Sequence, residues 1–182
     1  MCDLVPVDFL VYAWGKSSLG DFIAAQSDRG LVAFEFATPG DKAVADLRQR
    51  FPDVALTEHP AALAETIAAL TALVDHPERV PQIPLDPHGT EYEKQVWNLL
   101  RQIPAGTTTS YGEVAARMGT LRDARDATAA IAANRLAILI PCHRVVKKDG
   151  SLSGYRWGAR RKRELLDREK ANLTADAGVS GA

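Results

Sequence analysis

Cys142 is the side chain of this sequence with the most reactive chemistry open to it. It follows the apolar run Ala137-Ile138-Leu139-Ile140 and Pro141, and it precedes the basic pair His143-Arg144. A thiol attacks carbon only as the thiolate, and a neighbouring imidazole or guanidinium lowers its pKa. A lone cysteine is more often a small buried hydrophobe, so the local residues leave both readings open. The other cysteine, Cys2, has no Cys-x-x-Cys partner, and neither does Cys142. That excludes a redox pair or zinc-ligand spacing, and no metal site is expected. Met1-Cys2-Asp3-Leu4 lacks a basic stretch ahead of an apolar one. No export signal is therefore expected, and a disulfide between the two thiols is improbable on the same ground.

The elements that must position Cys142 fall into two halves. In the first, residues 9–14, 22–25 and 30–36 alternate as strands, with a turn at Ser27-Asp28-Arg29-Gly30. Helices are predicted over 41–50 and 61–75, the second carrying Leu63, Ile67, Leu70 and Val74 at helical spacing. Residues 76–89 hold Pro77, Pro81, Pro84, Pro87 and Gly89 and form a linker. The boundary falls near Asp86, giving an N-terminal domain over 1–85, a second over 86–172 and a flexible tail over 173–182. In the second half a helix is predicted over 90–102. A short one over 110–118 carries the capping box Ser110-x-x-Glu113 and stops at Gly119. A third covers 123–134. The last two match helix-turn-helix spacing, a pattern that plain packing also produces. Residues 137–140 read as a buried strand, Lys147-Lys148-Asp149-Gly150 as a basic turn, and 159–170 as a basic helix.

Charge divides the same way. Residues 1–90 hold six Lys/Arg against thirteen Asp/Glu, whereas 101–170 hold fifteen against seven. The basic half suits a polyanion, although two oppositely charged surfaces can equally dock on each other. No apolar run is long enough to span a bilayer, and a cytoplasmic protein is expected.

Pro141-Cys142-His143-Arg144-Val145 resembles the active-site signature of the O6-alkylguanine-DNA alkyltransferases. Gly89-Thr90, Val96-Trp97, Ile103-Pro104-Ala105-Gly106, Thr109-Ser110-Tyr111, Asn134, Gly154-Tyr155 and Leu165-Leu166 fall where that family has similar residues, without gaps. The likeness is strong over 85–170 and looser before it. Tyr155-Arg156-Trp157-Gly158 is most similar to the alkyltransferase domain of the bacterial adaptive-response protein, and a stand-alone version of that domain is expected.

The resemblance implies a fold: an α/β N-terminal domain with a small antiparallel, ribonuclease-H-like sheet, then a mostly α winged helix-turn-helix domain. It implies DNA repair by transfer of a methyl or alkyl group from O6-alkylguanine in double-stranded DNA to Cys142, with O4-methylthymine as a second substrate. The enzyme would be a monomeric methylated-DNA–protein-cysteine methyltransferase without a cofactor. It also implies roles. Arg125 fills the stack vacated by a flipped nucleotide, and Tyr111 turns the phosphate and donates to guanine N3. Asn134 is the hinge between recognition helix and cysteine segment. Glu169 orients His143, which draws the thiol proton through a water, and Arg144 is structural. The carbonyls of Cys142 and Val145 meet the exocyclic amine, the Arg156 N–H meets O6, and Tyr155 walls the pocket. Trp157 stands where some relatives have glycine, which predicts a pocket for methyl rather than benzyl. The thioether product has no good leaving group, so one protein acts once.

One departure stands out. Family members often carry Arg-Ala-Val on the recognition helix, whereas this chain has Arg125-Asp126-Ala127, with Asp123 just before. Carboxylates there would repel phosphates. The competing readings are a non-catalytic alkylated-DNA recognition protein, a helix-turn-helix regulator, and a cysteine hydrolase. The first would replace the cysteine, the second would not need Cys-His-Glu, and the third would need an oxyanion hole.

Overall fold

The computed structural model describes residues 8–119, 124–152 and 154–179. Cys2 and Asp123 lie outside them. The strands β1 (Phe9–Ser17), β2 (Gly20–Gln26) and β3 (Leu31–Phe36) form an antiparallel meander. A fourth strand, β4 (Ala55–Glu58), adds parallel to β1, giving the order β3-β2-β1-β4. The sheet is thus mixed rather than purely antiparallel. Sequence reading misses β4 because four residues of a mostly exposed edge show too little alternation.

Side-chain alternation along β2 separates two cores. Ile23 and Ala25 face α1 (Ala43–Arg50), meeting Leu47 and Phe51. Phe22 and Ala24 face the opposite way, into a larger cluster with Leu70, Leu73 and Val74 of α2 (Ala64–Asp75). That cluster continues across the proline-rich linker to Val96, Trp97, Ile131, Cys142 and Leu165. The two halves of the chain therefore share one core. The free edge of β3 makes the join. Leu31 N–H donates to Pro84 O at 2.8 Å and Asp86 N–H to Leu31 O at 2.9 Å. Further along, Phe34 N–H donates to Arg135 O and Ala137 N–H to Phe34 O, both at 2.9 Å. An edge that could recruit another strand is thereby covered.

The second half is helical. Capping boxes start both α3 (Glu91–Leu100), at Thr90 and Glu93, and α4 (Tyr111–Met118), at Ser110 and Glu113. Gly119 ends α4 with φ +59°, a conformation that suits glycine. Next comes α5 (Ala124–Ala132), which turns Ala127, Ala130 and Ile131 inward. Trp97 Nε1 donates to Ala130 O at 2.8 Å and fixes α5 on α3. Gly89 makes room for that indole, since a Cβ there would lie 2.4 Å from the ring.

Residues 137–140 are buried but not a strand. Only Leu136 bridges Phe34, and the segment turns through Ile138 at φ +65° into a 3-10 turn, Cys142–Arg144. A four-residue apolar run reports burial and not conformation. The strands β5 (Thr109–Ser110) and β6 (Val145–Val146) pair in parallel, so the cysteine segment is tied to the start of α4. The last helix, α6 (Ala159–Val179), runs past the expected end at Lys170. Residues 173–179, expected as tail, continue it, and Arg79 of the linker pairs with Asp176 there at 3.2 Å. Among the described residues no helix is long and apolar enough to cross a membrane.

Candidate active site

Cys142 sits at the start of the 3-10 turn, 6% exposed. Its backbone N–H donates to Ile140 O at 2.8 Å, and its sulfur accepts from Asn134 Nδ2 at 3.2 Å. Asn134 lies just beyond α5 and is fully buried. Its Nδ2 also donates to Ile140 O at 3.0 Å and Leu136 O at 3.3 Å, and its Oδ1 accepts from Leu136 N–H at 2.9 Å. One amide thus shapes the turn that carries the cysteine and touches the sulfur itself.

Behind the thiol lies a buried ionic group. Glu169 of α6 is 0% exposed, yet it faces two basic side chains. His143 Nε2 lies 2.7 Å from Glu169 Oε1. Arg144 donates through Nη2 at 2.7 Å and through Nε at 3.1 and 3.2 Å, and Gly106 N–H donates to Oε2 at 3.0 Å. Arg144 spends another N–H on Ile103 O at 2.7 Å. Burial works against the Glu169 charge, but the bonds from His143 and Arg144 prevail and hold its pKa at about 2.

A carboxylate only accepts, so Nε2 of His143 must carry the proton in that bond. The tautomer is therefore fixed, and Nδ1 presents a lone pair. Nδ1 is buried and has no hydrogen-bond partner among the described residues. Burial keeps the His143 pKa below its ordinary value despite the pull of Glu169. The imidazole is neutral at neutral pH and able to take a proton. Burial pushes the Cys142 thiol up, opposed by the Asn134 hydrogen bond and then by the positive charges of Lys162 and Arg156. The resting sulfur thus keeps its proton and needs a base to remove it.

The remaining predicted residues divide into those near the sulfur and those apart from it. Tyr155 and Trp157 are both 8% exposed and pack edge to face at 5.3 Å, with Phe36 of β3 behind Trp157 at 6.4 Å. Burial drives the Tyr155 phenol well above its ordinary pKa, and its hydroxyl finds no partner among the described residues. Val145 is buried, and its N–H donates to Cys142 O, so that carbonyl already accepts one bond. Tyr111 opens α4, half-buried. A Cβ on Gly154 would lie 3.2 Å from its hydroxyl. Arg125 and Asp126 stand on the exposed face of α5, outside the buried cluster. Among the described residues no group of three or more His, Cys, Asp or Glu side chains could hold a metal ion.

Sequence reading missed two contributions. The Arg156 side chain, expected to matter only through its backbone, donates to Ala132 O at 2.7 and 3.2 Å, tying the aromatic loop to the end of α5. Lys162 is 0% exposed, its Nζ 5.7 Å from the centre of the Tyr111 ring. A signal for it existed. Lys162, Leu165, Leu166 and Glu169 stand at i, i+3, i+4 and i+7, one inward stripe of α6 on which both charged residues are buried.

The family model described as the 6-O-methylguanine DNA methyltransferase DNA binding domain matches residues 91–171. The chain is 41% identical over 163 residues to the bifunctional transcriptional activator/DNA repair enzyme Ada of Escherichia coli, covering 88% of this chain but 46% of that protein. It thus spans about half the length of that relative. It is 36% identical over 154 residues to the inducible methylated-DNA–protein-cysteine methyltransferase of Bacillus subtilis, covering 82% of this chain and 84% of that one. The crystal structure of Mycobacterium tuberculosis OGT in complex with DNA superposes with a TM-score of 0.73 at 31% identity, over 88% of this chain and 93% of that one. The chain belongs to the methylated-DNA–protein-cysteine methyltransferase family.

Proposed function

We propose that this protein repairs DNA by accepting, once, the methyl group of O6-methylguanine on Cys142. The observation that carries the reading is the His143–Glu169 contact at 2.7 Å, which leaves Nδ1 as a buried base next in sequence to a buried thiol. Nδ1 draws the thiol proton through one water. The thiolate attacks the methyl carbon, the S–C bond forms, and the C–O6 bond breaks. Guanine leaves with the bonding pair and recovers a proton, completing the normal base. Glu169 stabilises the imidazolium formed on the way.

The sulfur of a residue only 6% exposed cannot reach a base stacked in a duplex. The nucleotide is flipped out instead. The α4–α5 pair reads as the helix-turn-helix, with α5 in the minor groove and Arg125 filling the gap. Tyr111 turns the phosphate and donates to N3, and the Val145 carbonyl and Arg156 N–H read the base edge. The turn after β6, with Lys147 N–H on Ser151 O at 3.1 Å, suits the wing. The order β3-β2-β1-β4 suits a ribonuclease-H-like N-terminal domain over 1–85, docked on the domain over 86–172. The protein acts as a cytoplasmic monomer without a cofactor, and O4-methylthymine is its second substrate.

Intact-mass measurement after incubation with a duplex containing O6-methylguanine tests this. A gain of one methyl group on Cys142, abolished in Cys142→Ser, is expected. Tight binding without a mass change would instead indicate a recognition protein, and repeated turnover a hydrolase.

A further inference from the structure

The two halves of the chain also meet through a cluster of charged side chains that the mechanism above leaves unused. Glu35 of β3 stands between two guanidiniums. Its Oε1 accepts from Arg50 Nη1 at 3.0 Å and its Oε2 from Arg135 Nη1 at 3.1 Å. Arg50 ends α1, and Arg135 lies three residues beyond α5. A third guanidinium, that of Arg156, donates to the carbonyl of Ala132, the last residue of α5, at 2.7 and 3.2 Å. One carboxylate thus serves two cations, and a third comes up to the same end of α5. Among the described residues, the remaining N–H groups of Arg50 and Arg135 have no hydrogen-bond or ion-pair partner. Their side chains are 21% and 27% exposed, so the pair is open to solvent. Asp46, whose charge also acts on Arg156, is exposed on α1 and makes no ion pair with the three among the described residues.

Ordinary structural roles account for part of this. The C-terminal end of a helix favours one cation, and Arg156 supplies it. One arginine would satisfy Glu35. The surplus positive charge is left over. Burial lowers the Arg50 pKa, Glu35 opposes this, and Arg135 and Arg156 lower it further, so the cations crowd one another and a bound anion would relieve them. We propose that Arg50, Arg135 and Arg156 form a phosphate site for the DNA strand that runs past the C-terminal end of α5, with Glu35 holding two of the three at fixed spacing. This rests on the reading that the duplex lies along α5. Arg125 stands near the start of that helix and the cluster at its end, so the duplex meets positive charge at both. Guanidinium suits a phosphodiester, since it offers paired N–H donors to two oxygens. The site also brings the acidic half of the chain into the grip on DNA. Residues 1–90 hold thirteen Asp/Glu against six Lys/Arg, and Arg50 is one of the six. Without that local reversal of sign α1 would repel the strand.

The test measures binding of an undamaged duplex by fluorescence anisotropy across a salt series. It compares wild type with Arg50→Met, Arg50→Lys and Arg48→Met in the full chain, with circular dichroism confirming the fold. Arg48 is exposed on the same helix and makes no bridge to Glu35. Losing one phosphate contact lowers the slope of log K against log salt by about one and weakens binding about fivefold to tenfold at about 0.1 M salt. That change is expected in Arg50→Met. Arg50→Lys keeps the charge and should recover the slope, and Arg48→Met should match wild type. A folded Arg50→Met with the wild-type slope would overturn the proposal, as would an equal fall in Arg48→Met, which would report net charge alone. Should Arg50→Met fail to fold, Arg135→Gln gives the same reading from the other side of Glu35. Titration with inorganic phosphate separates a free anion from the strand. Saturable phosphate binding that Arg50→Met abolishes, with the DNA slope unchanged, would assign the cluster to a small anion and sink the strand assignment. Because the duplex is undamaged, the result is independent of methyl transfer to Cys142, whose failure would count against the acceptor function alone.

Discussion

Replacing Glu169 with glutamine keeps the shape of the side chain and removes its charge. Arg144, 5% exposed, would then be a buried cation without a counter-ion, and the new amide would face donors on every side. Breaking a buried pair by removing one partner costs about 3–5 kcal/mol. Proton linkage gives a second route to the size of the effect. A carboxyl held at about 2 instead of 4.5 contributes about 3 kcal/mol at neutral pH. Because the folded pKa is depressed, that contribution is complete above about 4.5 and is lost as the pH falls towards about 2. Urea unfolding of wild type and Glu169→Gln at several pH values reads both numbers. The variant should be weaker by about 3–5 kcal/mol at neutral pH, with the gap narrowing once the pH drops below about 4.5. His143 adds a separate acid sensitivity. Its folded pKa is lowered, so the stability of the neutral ring is present above about 6.5 and is lost as the pH falls below it. A gap below about 1 kcal/mol at neutral pH, or one that stays constant into acid, would refute the assignment of Glu169 as the charged centre of the group.

Asn134→Ala strands Leu136 N–H, takes one of two donors from Ile140 O and removes the donor on sulfur. A loss of at least about 2 kcal/mol in thermal or urea unfolding is expected, along with slower alkylation of Cys142. Trp157→Gly removes an indole packed against Tyr155 and Phe36. It should raise the rate with O6-benzylguanine relative to the O6-methyl substrate, and an unchanged ratio in a folded variant would show that Trp157 does not limit the pocket. Asp126→Ala removes a carboxylate from the exposed face that also carries Arg125. Filter binding should show tighter association with duplex DNA at low salt and a difference that shrinks as salt rises. Equal affinity would place Asp126 away from the phosphates.

What the sequence revealed and what it hid follow from the range of the interactions. Capping is local: Ser110 and Glu113 are three residues apart, so the start of α4 could be read directly, and Thr90 and Glu93 obey the same grammar. The meander β1-β2-β3 was legible from alternation between turns. The path of residues 137–140 was not, because Ile138 adopts φ +65° only where Asn134 and the edge of β3 capture the flanking backbone groups. Glu169 was reached through family spacing, and Lys162 was not reached. Both were readable as charged residues on the same helical stripe as Leu165 and Leu166. A basic helix hides such a residue because its neighbours in sequence have the same charge and the opposite orientation.

Burial of the ring, helped by the position of Arg144, explains how a neutral base and a charged carboxylate coexist in one buried site. Glu169 alone would pull a proton onto His143 and hold it there, leaving Nδ1 unable to accept from the thiol. Burial of the ring is the main force against that pull, and Arg144 adds to it: its bonds to the carboxylate stabilise the Glu169 anion, while its charge works against a second cation on the ring. Glu169 thereby orients the imidazole without protonating it at rest, and becomes its counter-ion only after the thiol proton arrives. The same charge balance bears on single use. Methylated sulfur is neutral and has no proton to exchange, so His143 has no further work at that atom. Regeneration would require a nucleophile stronger than water to reach a methyl carbon on a sulfur that is buried even before the reaction.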